Sequence, residues 1–358
     1  MNVNKKVVIF GPFVGEFGWE LLFWQGWVRK VSRSEFRDYW KVAVSYPGRE
    51  VFYPDVDEFI SLPEEILDLN LSARNYICDG WKDGFPGKPT SYRWNFLATT
   101  KQILKGIRPH KIAIQEPWLG PSIQDSVIRF TDSIKAQFGK HAETEIFSPW
   151  SYNEHRGLKF GWREPNSLRD YANPENTLRI DFNYQLLERI TVKSETRGME
   201  AGYAMKIVAI FPRKRSFRRE DKNWSKENYL SLILKLQDIG YTVAILGDLS
   251  GAYFVGESIP GVIDLINIPN EGRLAAQVKL LNNSLMAVGA MSGATLLALA
   301  SGTPTVIFGY PEEQIRYHYE NFTKTPLIYV AQMNPNVEDI CNTLSDLEKF
   351  LKFESLGN

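Results

Sequence analysis

The chain has 358 residues, more than one hydrophobic core of about 100 to 200 residues usually accommodates, so we expect two domains. Apolar residues make up 44% and charged residues 23%, a balance that excludes a mainly disordered chain. The 42 Lys and Arg side chains are matched by 42 Asp and Glu, so no overall charge draws the protein to nucleic acid or to a membrane surface, although a local basic patch would still allow nucleic acid binding.

The first 165 residues alternate short apolar runs with long irregular stretches. Such alternation is typical of βαβ units around a parallel sheet. The pattern predicts strands over 6–10, 41–46 and 111–115, and helices over 18–32, 91–105 and 125–138. The segment DGWKDGFPGKPTSYRW (79–94) is rich in Gly, Pro and aromatic residues, which indicates a long surface loop and a candidate lid or acceptor-binding element.

A glycine-rich turn follows the first predicted strand and leads into an aromatic helix, in the sequence GPFVGEFGWELLFWQGW. Within it, Gly15 and Gly18 flank Glu16, next to the predicted start of the helix. A carboxylate beside a helix N-terminus is stabilised as an anion, which suits a group that accepts a proton from a hydroxyl. The residues alone leave open a structural role for Glu16 or Glu20, as a charge that stabilises the helix start by about 0.3 to 1 kcal/mol.

The middle of the chain is predicted to be a junction. Residues 146–200 lack clear periodicity apart from a predicted helix over 174–193, and residues 194–205 are small and polar enough to be a linker and hinge. We therefore divide the chain into an N-terminal domain (1–170), a helix and linker (171–205), a C-terminal domain (206–335) and a closing helix (336–358).

From residue 206 strands and helices alternate regularly. The short apolar strands fit a sheet that is buried on both faces, and Ser225 fits the N-cap of the first helix. This half is therefore predicted to be a doubly wound α/β domain. Strands are predicted over 206–211, 242–247, 262–266, 285–290 and 304–309, and helices over 225–240, 272–284, 292–302 and about 336–353.

A cluster of cations follows the predicted strand 206–211, in the sequence FPRKRSFRREDKNW. In an open parallel sheet ligands bind beyond the carboxyl ends of the strands, where this loop is expected to lie. Arg and Lys there suit a diphosphate, because Arg offers a planar fork and Lys a point charge to phosphate oxygens. A solvated charged loop remains the structural alternative. The six cations are Arg213, Lys214, Arg215, Arg218, Arg219 and Lys222.

A second candidate anion site lies in the turn AMSGAT, between the strand that ends near Gly289 and the helix that follows. The free N–H groups at a helix start bind anions, and Gly293 has no side chain to keep an anion away. Ser292 and Thr295 are expected to add hydroxyl donors, and Ala294 an N–H group. Such turns also occur where a helix and a sheet simply pack closely, so the turn alone does not establish an anion site. The cationic loop supports the assignment, because the turn and the loop would converge on one pyrophosphate.

Residues 206–310 resemble heptosyltransferase-like glycosyltransferases. The family has a Lys-x-Trp pair in its basic loop, a Ser-Gly turn and a Gly-Thr-Pro sequence. In this chain they are matched by Lys222 with Trp224, by Ser292 with Gly293, and by residues 302–304. The resemblance implies the GT-B architecture, in which two Rossmann-like α/β domains face each other across a cleft. It also implies that Arg213, Arg215, Lys222 and the 292–295 turn hold the diphosphate of a nucleotide sugar.

The N-terminal resemblance is narrower and covers about residues 6–32. The family carries a Gly-Asp turn whose carboxylate is the candidate base, and Gly15-Glu16 stands in the corresponding place. Glu16 is therefore the predicted catalytic base, and Gly15, Gly18 and Trp19 the predicted acceptor-side wall of the sugar pocket. Trp24 and Trp27 are better explained as packing.

Two departures limit what can be carried over. Met291 stands where the family has Asp, and Leu296 where it has His, so the donor contacts of those side chains are missing. The rest of the N-terminal domain does not resemble the family closely, so neither a heptose donor nor a lipopolysaccharide acceptor is implied. The resemblance implies an inverting, metal-independent glycosyltransferase that moves a sugar from a nucleotide sugar to a hydroxyl of a glycan or another biomolecule.

Neither a metal nor a bound cofactor is predicted, since the nucleotide sugar is a co-substrate. Cys78 and Cys341 match no disulfide or metal spacing, and the Asp-Val-Asp sequence at 55–57 is not interpreted as a metal site. The longest apolar runs fall short of the roughly 20 residues that span a bilayer, and the N-terminal apolar segment is too short for a signal peptide, so we expect a cytoplasmic protein. The four histidines also lack zinc-site spacing: His110, His141, His155 and His318.

Three other functions remain open at this stage. A nucleotide-sugar epimerase or hydrolase would use the same diphosphate site without an acceptor. In a DNA-base glycosyltransferase the basic loop would face a duplex, and binding would weaken steeply with salt. A non-catalytic nucleotide-sugar-binding protein is compatible with Met291 and Leu296.

Overall fold

The structure is a computed structural model, in which the chain divides into two compact units. The first unit comprises Met1–Trp19, Phe36–Tyr46 and Val56–Arg169, and the second comprises Glu20–Glu35, Pro47–Asp55 and Asp170–Asn358. The domain boundaries expected from the sequence stay predictions. The described residues are 6–15, 17–68, 91–93, 100, 102–104, 106, 112–114, 121–139, 143–147, 206–215, 220–314 and 325–356.

The described residues before 148 form a small parallel sheet with helices between its strands. The first predicted helix is continuous but contains a π-helical turn at Glu20–Trp24, between α1 and α2. The elements in chain order are β1 (Val7–Phe10), α1 (Phe17–Trp19), α2 (Gln25–Arg33), β2 (Trp40–Ser45), β3 (Glu58–Ser61), α3 (Glu64–Leu67), β4 (Ser91–Arg93), β5 (Ile112–Ile114), α4 (Pro121–Phe138) and β6 (Thr144–Phe147).

The N-terminal sheet has the strand order β3-β2-β1-β6, and all its strands run parallel. All four residues of β1 are buried, as expected for a strand with neighbours on both sides. Two expectations are wrong. Residues 91–93 are a strand and not the start of a helix, and β5 pairs with them antiparallel instead of joining the parallel sheet. Most of the predicted loop 79–94 and the helix over 174–193 lie outside the described residues.

The second sheet is the larger one, and its elements follow the predicted alternation closely. Ser225 caps its first helix as predicted, because its Oγ accepts a hydrogen bond from the Asn228 N–H at 3.1 Å. The elements are β7 (Ile207–Phe211), α5 (Lys226–Asp238), β8 (Thr242–Ile245), β9 (Val262–Asp264), α6 (Asn270–Asn282), β10 (Met286–Ala290), α7 (Gly293–Ala300), β11 (Thr305–Phe308), β12 (Leu327–Val330) and α8 (Val337–Leu356).

The second sheet is doubly wound. Its strand order is β12-β11-β10-β7-β8-β9, and every pair is parallel. Helices α5 and α8 pack on one face, over a core that includes Trp224 and Phe308, whereas α7 packs on the other face beside Ile307 and Tyr329. The predicted α/β fold built on two parallel sheets is confirmed. None of the described helices is long and apolar enough to cross a membrane.

Candidate functional site

The candidate site lies at the carboxyl ends of β7 and β10. β7 is the first strand of this sheet along the chain, and it lies beside β10, the fourth. The chain connections that follow these two strands therefore run in opposite directions across the sheet. Such a switch point opens a crevice between the loops that follow the two strands, and ligands of doubly wound sheets bind there. Phe211 at the end of β7 lies opposite Gly289 in β10, so the basic loop and the AMSGAT turn follow adjacent strands. Their predicted convergence on one pyrophosphate stays a prediction.

Gly289 allows α7 to approach the sheet at this point. A Cβ added to it would lie 2.7 Å from Thr295 Cγ2 and 2.9 Å from Phe211 Cβ, distances at which neighbouring atoms must move. The glycine therefore brings the first turn of α7 against the end of β7.

Ser292 and Thr295 form a capping box at the start of α7. The Ser292 Oγ accepts a hydrogen bond from the Thr295 N–H at 3.3 Å, and the Ser292 N–H donates to Thr295 Oγ1 at 3.1 Å. The Thr295 hydroxyl is fully buried and lies 2.8 Å from the Ser292 carbonyl oxygen, so it is engaged within the turn. Among the described residues, no acceptor is recorded for the N–H groups of Gly293 and Ala294. These two groups are therefore the donors that the turn offers to an anion.

Asn223 holds the basic loop in shape, a role that the sequence analysis did not anticipate. Its Oδ1 accepts hydrogen bonds from the Arg213 guanidinium and, at 2.9 Å, from the Arg215 N–H. Its Nδ2 donates to the Arg215 carbonyl oxygen at 2.7 Å. The only sequence signal was an amide between Lys222 and Trp224, a residue type able to donate and accept at once.

A second support for the basic loop comes from the segment after β8. The Lys214 N–H donates to the Gly251 carbonyl at 2.8 Å, and the Tyr253 N–H donates to the Pro212 carbonyl at 2.7 Å. Arg213 and Ala252 form an antiparallel bridge between these bonds. Backbone pairing thus fixes the loop for the three residues that follow β7.

The predicted donor-binding cations differ in accessibility. Arg213 is 7% exposed, so it lies largely inside the loop, whereas Arg215 and Lys222 are half-buried and reach the surface. The Lys222 Nζ lies 5.8 Å from the centroid of the Tyr310 ring, within the range of a cation–π contact. Arg218 and Arg219 lie outside the described residues. Arg215 and Lys222 are thus the predicted donor-binding cations that the structure places nearest to solvent.

Trp224 has a structural role. Its side chain is fully buried between Tyr229 and Phe308, with ring centroids 5.0 and 5.1 Å away. Its Nε1 donates to the Pro335 carbonyl at 2.9 Å, which ties the start of α5 to the segment that precedes α8. The Trp of the Lys-x-Trp pair therefore anchors the loop that carries Lys222.

Met291 and Leu296 belong to an apolar cluster under α7. Met291 is 4% exposed and packs with Leu299, Ile307 and Tyr329, and Leu296 packs against the same cluster. The Tyr329 hydroxyl donates to the Tyr310 carbonyl at 2.8 Å and lies 3.5 Å from the Met291 sulfur. Position 291 is thus a core position in this chain, which is why an apolar side chain stands there.

Of the predicted acceptor-side residues, Glu16 lies outside the described residues. Gly15 is buried, Gly18 is half-buried within α1, and Trp19 is the last residue of α1. Their assignment to the acceptor side stays a prediction.

Glu20 has a structural role, but as a buried ion-pair partner and not as the helix-start charge that the sequence left open. Its carboxylate is fully buried and accepts hydrogen bonds from the Arg49 guanidinium and the Tyr53 hydroxyl. A buried carboxylate needs such partners, because desolvation of an uncompensated charge is costly. The π-helical turn that begins at Glu20 lies against α7, within the second compact unit. The ion pair thus fixes a helical turn beside the helix that starts at the Ser-Gly turn.

Ion pairs occupy both carboxylates of the 55–57 segment. Asp55 accepts from Arg29 at 2.8 Å and from Arg33 at 2.9 Å, and the Asp57 carboxylate lies 3.2 Å from the Lys41 Nζ. Within the described part of the chain, no group of three or more His, Cys, Asp or Glu side chains is placed to hold a metal. The metal independence of the reaction stays a prediction.

Comparison with known proteins finds similarity at the level of structure alone. No protein-family model matches the chain, and no curated protein matches it. The chain is similar to the glycosyl transferase family 9 structure from Veillonella parvula DSM 2008, with 11% identity, a TM-score of 0.49 and coverage of 97% of this chain and 98% of that one. It is also similar to ADP-heptose LPS heptosyltransferase II of E. coli, with 14% identity, a TM-score of 0.47 and coverage of 97% and 99%.

A third similar structure is the E. coli heptosyltransferase WaaC with ADP, with 10% identity, a TM-score of 0.46 and coverage of 96% of this chain and 99% of that one.

Proposed function

We propose that the chain is a glycosyltransferase that moves a sugar from a nucleoside diphosphate sugar to a hydroxyl group of a glycan or another acceptor. One observation carries the proposal: a basic loop and a capped helix start follow two hydrogen-bonded strands at the switch point of a doubly wound sheet. That arrangement suits a diphosphate, because it combines free backbone N–H groups with cationic side chains.

Each part of the crevice has a separate task in this proposal. The N–H groups of Gly293 and Ala294 bind phosphate oxygens, and the half-buried Arg215 and Lys222 neutralise their charge. Arg213 shapes the loop through Asn223 and contributes its charge from inside. Because hydrogen bonds hold the backbone of both loops before the ligand arrives, the N–H groups stabilise the charge that develops on the leaving diphosphate without reorganising.

The proposed reaction is a single inverting displacement without a metal. The carboxylate of Glu16 takes the proton of the acceptor hydroxyl, whose oxygen forms a bond with the anomeric carbon of the sugar. The bond between that carbon and the diphosphate oxygen breaks, and its electron pair leaves with the diphosphate. Glu16 is assigned on the Gly-Glu turn of the sequence.

The decisive experiment is a transfer assay with UDP, GDP, ADP and CMP sugars and an array of glycan acceptors, run with and without EDTA. We expect a glycosylated product with one donor class, undiminished by EDTA, and a loss of about a hundredfold or more in Glu16→Gln, because general base catalysis contributes about that much. Full activity of a folded Glu16→Gln protein would remove Glu16 from the mechanism.

Other outcomes of the same assay identify the competing functions. Consumption of the nucleotide sugar without any acceptor would indicate an epimerase or a hydrolase. Binding without product under every condition would indicate a non-catalytic nucleotide-sugar-binding protein. Glycosylated duplex DNA, formed with an affinity that falls steeply as salt is raised, would indicate a DNA-base glycosyltransferase.

A further inference from the structure

A cation–π contact joins the basic loop to the segment that follows β11. The Lys222 Nζ lies 5.8 Å from the centroid of the Tyr310 ring, and both side chains are half-buried. Phe308, the last residue of β11, lies opposite Ala290 of β10, so Tyr310 follows the strand end next to the AMSGAT turn. A residue of the loop after β7 thus contacts a residue that follows β11, although β10 lies between these two strands in the sheet.

This contact crosses the carboxyl edge of the sheet from one face to the other. Trp224, two residues after Lys222, lies in the core under α5 and α8, whereas Tyr310 packs against the apolar cluster under α7. The Lys222 side chain therefore spans the strand ends from which the AMSGAT turn leaves. Its ammonium group lies on the same edge of the sheet as the N–H groups of Gly293 and Ala294.

The backbone that carries Tyr310 is held in place on this edge. The Tyr310 carbonyl accepts hydrogen bonds from the Tyr329 hydroxyl at 2.8 Å and from the Glu313 N–H at 3.0 Å. A Cβ added to the preceding Gly309 would overlap Tyr329 Oη and the Met291 sulfur, so the backbone packs directly on both side chains. The ring of Tyr310 therefore projects from a fixed point of the fold.

An aromatic ring suits the task of orienting a lysine that binds phosphate. A lysine side chain has a flexible four-carbon stem, and it loses conformational freedom when its ammonium group binds an anion. The negative face of a ring attracts the ammonium group without the neutralisation that a carboxylate brings, so the charge stays available to a phosphate. Contact with the ring before the ligand arrives therefore reduces the conformational entropy that is lost on binding.

We propose that Tyr310 is a positioning residue of the crevice, whose ring holds the Lys222 ammonium group beside the start of α7, where it contacts the bound diphosphate. This inference rests on the proposed function, because the diphosphate of the donor is the anion that Lys222 is positioned to bind. The ring acts through Lys222 and needs no contact with the ligand itself. The effect of removing the ring should consequently depend on the presence of Lys222.

A double-mutant cycle tests this dependence. Calorimetric titration with UDP, GDP and ADP measures the affinity of wild-type protein, Tyr310→Leu, Lys222→Ala and the double variant. We expect Tyr310→Leu to bind the preferred diphosphate about 3- to 10-fold more weakly than wild type, but the same substitution to cost about twofold or less once Lys222 is replaced. Tyr310→Phe keeps the face of the ring, so we expect it to bind within about twofold of wild type.

Tyr241→Leu is the matched control. The Lys206 Nζ also lies 5.8 Å from the centroid of the Tyr241 ring, but this pair lies at the amino ends of the strands, away from the crevice. Removal of that ring should therefore leave the affinity for the diphosphate unchanged. Urea unfolding shows which variants fold, and Tyr310→Met takes the place of Tyr310→Leu in the cycle if leucine prevents folding.

Several results would overturn the inference while wild-type binding kept the proposed function intact. They are an unchanged affinity in Tyr310→Leu, an equal effect of that substitution with and without Lys222, and an equal loss of affinity in Tyr310→Phe or in Tyr241→Leu. Failure of wild-type protein to bind any of the three diphosphates would instead overturn the proposed function, and this inference with it.

Discussion

At the scale of single residues, the crevice depends on side chains that hold the loops as much as on those that would touch a ligand. The sequence identified the cations and the Ser-Gly turn, because charge clusters and small-residue turns are visible as local patterns. It did not identify Asn223. The role of Asn223 arises from the folding of the basic loop back on itself, which no local pattern encodes.

Asn223→Ala tests the support of the basic loop. The substitution removes the acceptor shared by Arg213 and the Arg215 N–H, so we expect the nucleoside diphosphate to bind about 3- to 30-fold more weakly, with a loss of about 1 to 3 kcal/mol in the free energy of unfolding. Titration calorimetry and urea unfolding measure the two effects. Asn283→Ala is the control, because its Nδ2 donates to the Lys279 carbonyl at an exposed position. Equal losses of affinity in both variants would contradict the assignment.

Gly289→Ala tests the close approach of α7 to β10 beside the end of β7. The new Cβ would clash with Thr295 Cγ2 and Phe211 Cβ, so we expect a loss of about 1 to 3 kcal/mol in the free energy of unfolding. Adding Thr295→Ser removes the methyl group and keeps the hydroxyl of the capping box, so the double variant should recover part of that stability. Thermal unfolding of the single and double variants measures this. No recovery would show that Thr295 is not the group that clashes.

At the scale of elements, the second half of the chain was predicted almost strand by strand, because its strands are continuous apolar runs separated by helical stretches. The first half was predicted less well. Short strands such as β3 and β6 lack a pattern of their own and are defined by pairing with their neighbours. The apolar run over 111–115 predicts a buried strand of the parallel sheet. In the structure this strand instead pairs antiparallel with residues 91–93.

The two capped helices of the second sheet provide a matched pair of substitutions. Ser225 caps α5 and Ser292 caps α7 through the same kind of side-chain bond. We expect Ser225→Ala and Ser292→Ala each to lower the free energy of unfolding by about 0.5 to 2 kcal/mol. Only Ser292→Ala should also weaken diphosphate binding, since its helix start lies at the crevice. Equal affinities in the two variants would show that the start of α7 does not bind the ligand.

At the scale of the whole molecule, a carboxylate far along the sequence joins α8 to the amino ends of two central strands. Glu348 accepts hydrogen bonds from Lys206 at 3.2 Å and from the Tyr241 hydroxyl, and pairs with Lys352 at 2.9 Å. Burial favours a higher pKa, but the three hydrogen bonds outweigh it and lower the pKa of Glu348 to about 2. This cluster lies at the amino ends of β7 and β8, away from the strand ends that form the crevice.

The lowered pKa of Glu348 makes the stability of the fold depend on pH. The unfolded chain has the ordinary pKa of 4.5, so the charged carboxylate stabilises the fold above that pH, and its contribution is lost as the pH falls towards 2. Glu348→Gln should therefore be less stable than wild type at pH 7, by at most about 3 kcal/mol, and this difference should shrink below pH 4. Urea unfolding as a function of pH measures it. The exposed Glu338→Gln is the control, and a difference that does not vary with pH would contradict the assignment.

The whole-molecule fold of parallel sheets followed from the alternation of elements, and the sequence also predicted that the two loops converge, whereas the full strand order was defined only by the structure. That order makes the AMSGAT turn part of the candidate site, because it places α7 next to the basic loop. The central claim is that this crevice binds the diphosphate of a nucleotide sugar.

Calorimetric titration of UDP, GDP and ADP into wild-type protein, the Arg215→Ala/Lys222→Ala double variant and the control Lys226→Ala tests this claim most directly. Lys226 pairs with Glu257 at 2.6 Å, at the start of α5. We predict saturable binding of at least one diphosphate to wild-type protein and to Lys226→Ala, and a loss of affinity of at least about tenfold in the double variant. Absence of binding, or equal affinity in all three proteins, would contradict the claim.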